Sequence, residues 1–75
     1  MEKEKKIIEL VKNLFEDLDT ENFNLDTEFK NNDEWDSMTT LALITSLDEE
    51  FNVSVSAKKI NELVSIRDIL HYING

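Results

Sequence analysis

The chain has 75 residues, no cysteine and a formal net charge of -9 at neutral pH. A chain of this length is expected to fold as one domain, spanning residues 1–75, and without cysteine it has no disulfide, thiolate metal site or thiol nucleophile of its own. The acidity disfavours nucleic acid and anionic membranes as partners, and it favours proteins with basic surfaces.

Acidic residues are concentrated in the middle of the sequence. Residues 13–51 contain twelve acids and one base, Lys30, whereas residues 1–12 contain four lysines and three acids and residues 52–75 contain three bases and two acids. Such a patch can steer basic protein partners, and it can equally well keep a small protein in solution. No apolar run is long enough to span a membrane, and no signal-peptide pattern follows the charged residues 2–6, so we expect a soluble, cytoplasmic monomer.

The spacing of apolar residues predicts four helices and no strand. The first helix covers residues 2–18 and the second residues 37–51. Ser56 is predicted to cap a short third helix that runs to about Leu63, and Ser65 is predicted to cap the fourth. There is no proline, and the only glycine is the last residue, so nothing in the sequence breaks these helices internally. We therefore predict an all-α, four-helix bundle with three longer helices, one short third helix and a long first loop.

The predicted connection between the first two helices, residues 19–36, is long for so small a domain. A connection of this length is uncommon unless its apolar residues anchor it over the core, and we expect Leu25 and Phe29 to do so. We expect Trp35 to cover the core beneath this connection, an interpretation favoured over contact with a binding partner.

Helical spacing also assigns faces to the second helix. The residues predicted to be buried share one side, with Leu41 at its margin: Leu43, Ile44, Leu47 and Phe51. The residues predicted to point outward share the other: Met38, Ala42, Thr45, Ser46 and Glu49.

The last helix has clear start signals and one apolar stripe. Ser65 and Asp68 fit a capping box, and Val64 is placed to pack on Ile69 as a hydrophobic staple. The stripe predicted to be buried consists of Ile66, Ile69, Leu70 and Ile73.

Ser37 stands where the polar loop becomes the second helix. The sole histidine, His71, falls on the polar side of the last helix, so no catalytic triad is expected and we do not expect an enzyme. A helix N-terminus favours a phosphodiester formed on a serine there, because its unpaired N–H groups carry partial positive charge. The alternative is that Ser37, or Asp36, only caps the helix, and position alone favours that alternative.

A calcium site is a competing hypothesis. Acids occupy four ligand positions of a twelve-residue EF-hand loop: Asp17, Asp19, Glu21 and Glu28. The turn position holds Asn22 instead of glycine, and no exiting helix is predicted directly after the loop. The match is therefore a weak one in an acid-rich chain.

Asp36-Ser37-Met38 resembles the attachment signature of the acyl carrier proteins, which is Asp-Ser-Leu or, in some stand-alone carriers, Asp-Ser-Met. Other segments resemble the family in order along the chain: Asp26-Thr27-Glu28-Phe29 in the first loop, residues 47–51 at the acidic end of the second helix, Lys58-Lys59-Ile60 in the short third helix and residues 65–73 in the last. The resemblance thus covers nearly the whole chain, with the length, helix order and acidity of the family.

This resemblance implies a carrier and not an enzyme. A phosphopantetheinyl transferase, using coenzyme A and magnesium, is expected to place a 4′-phosphopantetheine arm on Ser37, whose thiol then carries an acyl or aminoacyl group as a thioester. Expected partners are that transferase, an acyl- or aminoacyl-ligase and a downstream transferase or synthase with basic docking patches. By position, the family's docking surface corresponds here to Asp36, Met38, Leu41, Thr45, Asp48 and Glu49. A protein that borrows the fold as an unmodified interaction module is a third hypothesis.

The sequence also departs from the family at several positions. Glu34-Trp35 replaces the usual Gly-Ala before the signature, Thr39 and Ala42 replace acids common early in the second helix, and Lys58-Lys59 replaces acids in the third. These departures put in doubt a role as the general carrier of fatty acid synthesis. They favour a dedicated carrier for aminoacyl loading, polyketide or surface-glycan precursor chemistry.

Overall fold

The computed structural model describes residues 2–16 and 18–74. In that part the chain forms four α-helices and no strand: α1 (Glu2–Lys12), α2 (Ser37–Phe51), α3 (Ala57–Glu62) and α4 (Ile66–Asn74). The predicted all-α architecture with a short third helix is confirmed. None of these helices has the length and apolar character needed to cross a bilayer, and the cytoplasmic location stays a prediction.

Helix α1 is shorter than predicted: it ends at Lys12, whereas the predicted helix extends to residue 18. The N–H groups of Leu14 and Phe15 donate to carbonyls only three residues back, those of Val11 and Lys12, at 3.1 and 3.2 Å. This tightened turn takes the chain out of the helix while Phe15 stays buried in the core. The helical spacing of apolar residues in the sequence therefore extends beyond Lys12, where the helix itself ends.

The core lies between the helices and the loop that joins α1 to α2. Helix α1 packs against α2 and α4, and α2 packs against α3. The buried apolar residues are Ile7, Leu10, Val11, Phe15, Phe29, Leu43, Leu47, Val55, Ile60, Leu63, Ile66, Ile69 and Leu70. Three side chains predicted to be buried are only half-buried at the margin of this core: Ile44, Phe51 and Ile73.

The first loop, residues 13–36 in the structure, is anchored as predicted. Phe29 is fully buried, and Leu25 is half-buried against the core. The Trp35 ring packs on Phe29 with ring centroids 5.3 Å apart and on Phe15 with centroids 6.3 Å apart. Phe15, near the start of the loop, and Trp35, near its end, therefore form one aromatic cluster with Phe29.

Polar groups of the first loop also satisfy the ends of two helices. The N–H groups of Ile66 and Arg67, in the first turn of α4, donate to the loop carbonyls of Thr27 and Leu25 at 3.1 and 2.7 Å. The Lys30 ammonium donates to the carbonyls of Ile60 and Asn61 at the end of α3, at 3.0 and 2.8 Å. Because helix ends have no intrahelical partners for these groups, the loop is part of the helical framework.

The predicted caps of α3 and α4 are confirmed, and Val64, predicted to pack on Ile69, is exposed. Ser56 Oγ accepts from the Lys59 N–H at 3.1 Å. At the start of α4, Asp68 Oδ2 accepts from the Ser65 N–H at 3.2 Å and Ser65 Oγ accepts from the Asp68 N–H at 3.4 Å. Val64 is 53% exposed and lies outside the core, and it is its backbone N–H that contacts the helix through Asp68 at 2.9 Å.

Asn52 caps the C-terminal end of α2, at the start of the connection to α3. Asn52 has a left-handed backbone conformation (φ 56°, ψ 42°), and its N–H donates to the Asp48 carbonyl at 2.9 Å. Asparagine tolerates this conformation better than other residues that carry a side chain, glycine excepted. The residue therefore turns the chain sharply from α2 toward α3.

Replacing Phe29 tests the anchoring of the loop. Phe29→Ala should lose about 3–5 kcal/mol of unfolding free energy, as large-to-small core changes do. That is about the whole net stability of a domain this small, so most of the variant should be unfolded at 25 °C. Far-UV circular dichroism across a urea series, starting without urea, should show little or no folded baseline for Phe29→Ala and a full transition for the wild type, without relying on Trp35 fluorescence. Leu25→Ala, at a half-buried loop position, is the control and should lose less; an unchanged midpoint for Phe29→Ala would refute the anchoring.

Candidate functional site

Ser37 is the first residue of α2, and its side chain is exposed. The cap of this helix is Asp36 and not Ser37, which decides between the two capping alternatives. Among the hydrogen bonds of the described residues, none uses the Ser37 hydroxyl or joins it to His71. The hydroxyl is thus presented to solvent at the positive end of a helix.

Asp36 lies beside that hydroxyl and is held by Thr39. Its Oδ1 accepts from the Thr39 N–H at 2.9 Å and from the Thr39 hydroxyl at 3.0 Å. These two bonds, the backbone one first, hold the pKa of Asp36 below its ordinary value of 3.8. Asp36 is therefore a negative charge fixed next to Ser37 at neutral pH.

The turn before Asp36 is built around Asn32. The Asn32 side-chain amide donates to the Phe29 carbonyl at 2.9 Å, and its oxygen accepts from the Glu34 N–H at 2.9 Å. The Glu34 carbonyl accepts from the Thr39 hydroxyl at 3.1 Å, and the Glu34 carboxylate accepts from the Glu16 N–H at 3.1 Å. The turn is thus tied to the buried Phe29 on one side and to the first turn of α2 on the other.

Trp35 sits inside this turn and is half-buried against Phe15 and Phe29. Its ring meets the Phe29 ring edge to face, at an interplanar angle of 75°. This packing is what the core-covering interpretation of Trp35 predicts.

The residues of the predicted docking surface are all exposed. Met38 and Leu41 are 77% and 61% exposed, the most exposed of the large apolar side chains in the described part of the chain. The acids Asp36, Asp48 and Glu49 lie on the same helix or at its cap, and Thr45 is exposed between them. The structure therefore places an apolar pair and acids on one accessible helix, while Leu41, predicted at the margin of the buried face, is outside the core.

The calcium ligand set is not assembled in the part of the chain that the structure describes. Asp17 lies outside the described residues, and within them no group of three His, Cys, Asp or Glu side chains is placed to hold a metal ion. Asp19 Oδ1 accepts from the Glu21 N–H at 3.1 Å, a local turn. After Glu28 the chain forms turns up to Asp36, where an EF-hand has its exiting helix.

Two residues that shape the site, Thr39 and Asn32, are not predicted from the sequence. The sequence shows Thr39 only as the replacement of an acid that is common in the family. The spacing of Asp36 and Thr39, from the cap to the third helical residue, is the signal that could have identified Thr39. Asn32 begins an Asx turn, a common role for asparagine in loops.

Comparison with known proteins gives one match. A family model described as a phosphopantetheine attachment site matches residues 5–73, which is nearly the whole chain. No curated protein and no solved structure matches the chain significantly.

The lowered pKa of Asp36 predicts a dependence of stability on pH. A carboxyl group with a lower pKa in the folded state stabilises the fold above its ordinary value of 3.8, and this contribution is lost as the pH falls through the folded-state pKa. Asp36→Asn keeps a good capping side chain but no longer titrates. Urea unfolding at a series of pH values below 5 should therefore give a shallower fall in stability for this variant than for the wild type.

Two features make this comparison specific. Asp68, whose pKa is lowered mainly by the Val64 and Ser65 N–H groups, titrates in both proteins and does not enter the difference. Asp36→Ala removes the cap as well as the charge and should be less stable than Asp36→Asn at neutral pH. Equal slopes for wild type and Asp36→Asn would contradict the assignment of Asp36 as an ionised cap.

Proposed function

We propose that this chain, which belongs to the phosphopantetheine attachment-site family by the match over residues 5–73, bears its 4′-phosphopantetheine on the Ser37 oxygen. Domains of this family are sites of covalent 4′-phosphopantetheine attachment, so the protein is a phosphopantetheine-bearing carrier protein. The family fixes the cofactor, and the choice of residue is our proposal.

The observation that carries the proposal is the exposed Ser37 hydroxyl at the start of α2, free of hydrogen bonds within the described part of the chain. The hydroxyls of Ser56 and Ser65 are engaged as caps, and Ser46 is half-buried. Ser54 is exposed, but it lies in the connection between α2 and α3 and not at a helix N-terminus. Ser37 alone among these serines combines accessibility with a position that favours an attached phosphate.

Ser37 and the start of α2 are suited to carry a 4′-phosphopantetheine group. Loading forms a bond between Ser37 Oγ and the phosphorus of coenzyme A that bears the pantetheine, and it breaks the bond from that phosphorus to the oxygen of the second phosphate. Adenosine 3′,5′-bisphosphate leaves, and the serine proton passes to a base of the transferase. The N-terminal dipole of α2 stabilises the negative charge of the resulting phosphodiester. Once attached, the group supplies a terminal thiol that carries acyl groups as thioesters.

We further propose that the docking surface receives the partner enzymes. Met38 and Leu41 offer an exposed apolar contact, and methionine adapts to differently shaped partner surfaces. Asp36, Asp48 and Glu49 offer carboxylates to basic patches, which steer association and give it a salt dependence. The partners are a phosphopantetheinyl transferase, an acyl- or aminoacyl-ligase and a downstream transferase or synthase.

The pathway we favour is a specialised one, such as aminoacyl loading, polyketide or surface-glycan precursor chemistry. Support comes from the early part of α2, where Thr39 and Ala42 leave no acid, and from the start of α3, where Lys58 and Lys59 are basic. Carriers of this family commonly have acids at these positions, and their partners need basic residues opposite them. A partner of this carrier needs fewer basic residues opposite the start of α2, and it must tolerate the positive charges of Lys58 and Lys59 on α3.

Intact-mass spectrometry after incubation with a broad-specificity phosphopantetheinyl transferase, coenzyme A and magnesium tests the attachment residue. The wild type should gain one phosphopantetheinyl group, and Ser37→Ala should gain none. Ser54→Ala is the matched control, because it removes another exposed serine hydroxyl and should load like the wild type.

Failure to load the wild type with a transferase that loads a known carrier would contradict the proposed function, as would undiminished loading of Ser37→Ala. Binding of a ligase that proceeds equally well with Ser37→Ala and without any loading would instead favour an unmodified interaction module.

A further inference from the structure

We infer that Thr39 is a positioning residue for the loading of Ser37, because its hydroxyl fixes the Asp36 carboxylate and the turn before it in the orientation that the transferase binds. The inference rests on the proposed attachment at Ser37 and goes beyond it to a residue that makes no covalent bond.

The geometry places one hydroxyl between two acceptors. Thr39 Oγ1 lies 3.0 Å from Asp36 Oδ1 and 3.1 Å from the Glu34 carbonyl oxygen. A hydroxyl has one hydrogen, so it donates to these two oxygens in alternation or in a shared bond. In either case the carboxylate and the preceding turn are linked to the first turn of α2 by the same atom.

The side chain of Thr39 makes a hydrogen bond that helix capping alone does not require. The cap bond to Asp36 comes from the Thr39 backbone N–H, at 2.9 Å, and any residue except proline would supply it at this position. The hydroxyl adds a second bond to the same oxygen, Oδ1. It therefore limits rotation of the carboxylate and leaves the second oxygen of this exposed side chain for a partner.

The chemistry of loading explains why a fixed carboxylate beside Ser37 matters. The donor carries a diphosphate, which a carboxylate next to the nucleophile repels unless a cation lies between them. Magnesium is commonly held by one or two carboxylates together with substrate phosphates, and a basic side chain of the transferase can serve in the same way. A carboxylate already held in place loses less conformational freedom when it meets that cation, and it keeps Ser37 in line with the donor.

The test compares three substitutions that keep the backbone N–H. Thr39→Val replaces the hydroxyl by a methyl group in a side chain of nearly the same shape. Thr39→Ala removes both the hydroxyl and the methyl group, whereas Thr39→Ser keeps the hydroxyl and removes only the methyl group. Thr20→Val, in the first loop, is the matched control for the same chemical change, since the Thr20 hydroxyl makes no hydrogen bond among the described residues. Each protein is assayed for kcat and KM of loading by intact mass, for the Asp36 pKa by carboxyl NMR titration, and for stability by urea unfolding.

The hydroxyl-free variants should still be loaded on Ser37, with kcat/KM lowered roughly tenfold, the scale of one lost hydrogen bond to a charged group. The Asp36 pKa should rise toward its ordinary value in Thr39→Val and Thr39→Ala and stay low in Thr39→Ser. Thr39→Ser should recover most of the loading rate, and Thr20→Val should load like the wild type.

Several results would overturn the inference. One is wild-type kcat/KM in both hydroxyl-free variants. Another is slow loading that tracks a loss of stability, with no change in the Asp36 pKa and no rescue by Thr39→Ser, since that is a structural effect only. A wild type that is not loaded, or is loaded at another residue, refutes the proposed function and this inference with it. A wild type loaded on Ser37 together with indifferent Thr39 variants refutes the inference alone.

Discussion

Burial of the Phe29 ring is the contact on which the rest of the structure depends, because it holds the first loop against four short helices. Helices of these lengths are marginal in isolation, and they persist here through packing of their apolar faces. The first loop supplies packing through Phe29 and polar groups at two helix ends, through the Thr27 and Leu25 carbonyls on α4 and through Lys30 on α3. The loop therefore links helices that are distant in sequence, and removing its anchor affects all of them.

The same loop leads into Ser37, the residue proposed to carry the phosphopantetheine. Asn32 binds the backbone of the anchored Phe29 and turns the chain, Trp35 packs back on the aromatic cluster, and Asp36 caps α2. Ser37 then emerges with its hydroxyl exposed while the residues before it are held. A site for covalent attachment needs a reachable nucleophile on a rigid support, and this arrangement provides both. The exposed Met38 and Leu41 lie in the first two turns of the same helix, so the proposed partner contact and the proposed attachment share one element.

The sequence predicted the parts of this fold that follow from periodic or local patterns. Apolar spacing located α2 and α4, local capping signals located Ser56, Ser65 and Asp68, and the length of the loop indicated an anchor at Phe29.

The sequence did not predict where α1 ends, because the helical spacing of apolar residues continues through Phe15, after the backbone hydrogen bonds have changed. Nor did it predict the bonds from Thr27 and Leu25, since any residue has a backbone carbonyl and only the tertiary arrangement brings these two to α4. Asp36-Ser37-Met38 could be identified from sequence, whereas the role of Thr39 depends on distances to Glu34 and Asp36.

The first loop is a folded part of the framework that supports Ser37, and amide hydrogen exchange at the start of α4 is a direct test of this. The N–H groups of Ile66 and Arg67 lie in the first turn of α4, so no acceptor within the helix can protect them, and only the loop carbonyls can. If the loop is part of the framework, these two amides exchange as slowly as those of the buried helical core, through the same global opening. Ala57 and Lys58, first-turn amides of α3 with no such acceptor among the described residues, should exchange fast. Exchange of Ile66 and Arg67 as fast as that of Ala57 and Lys58 would show that the first loop is not a folded part of the framework.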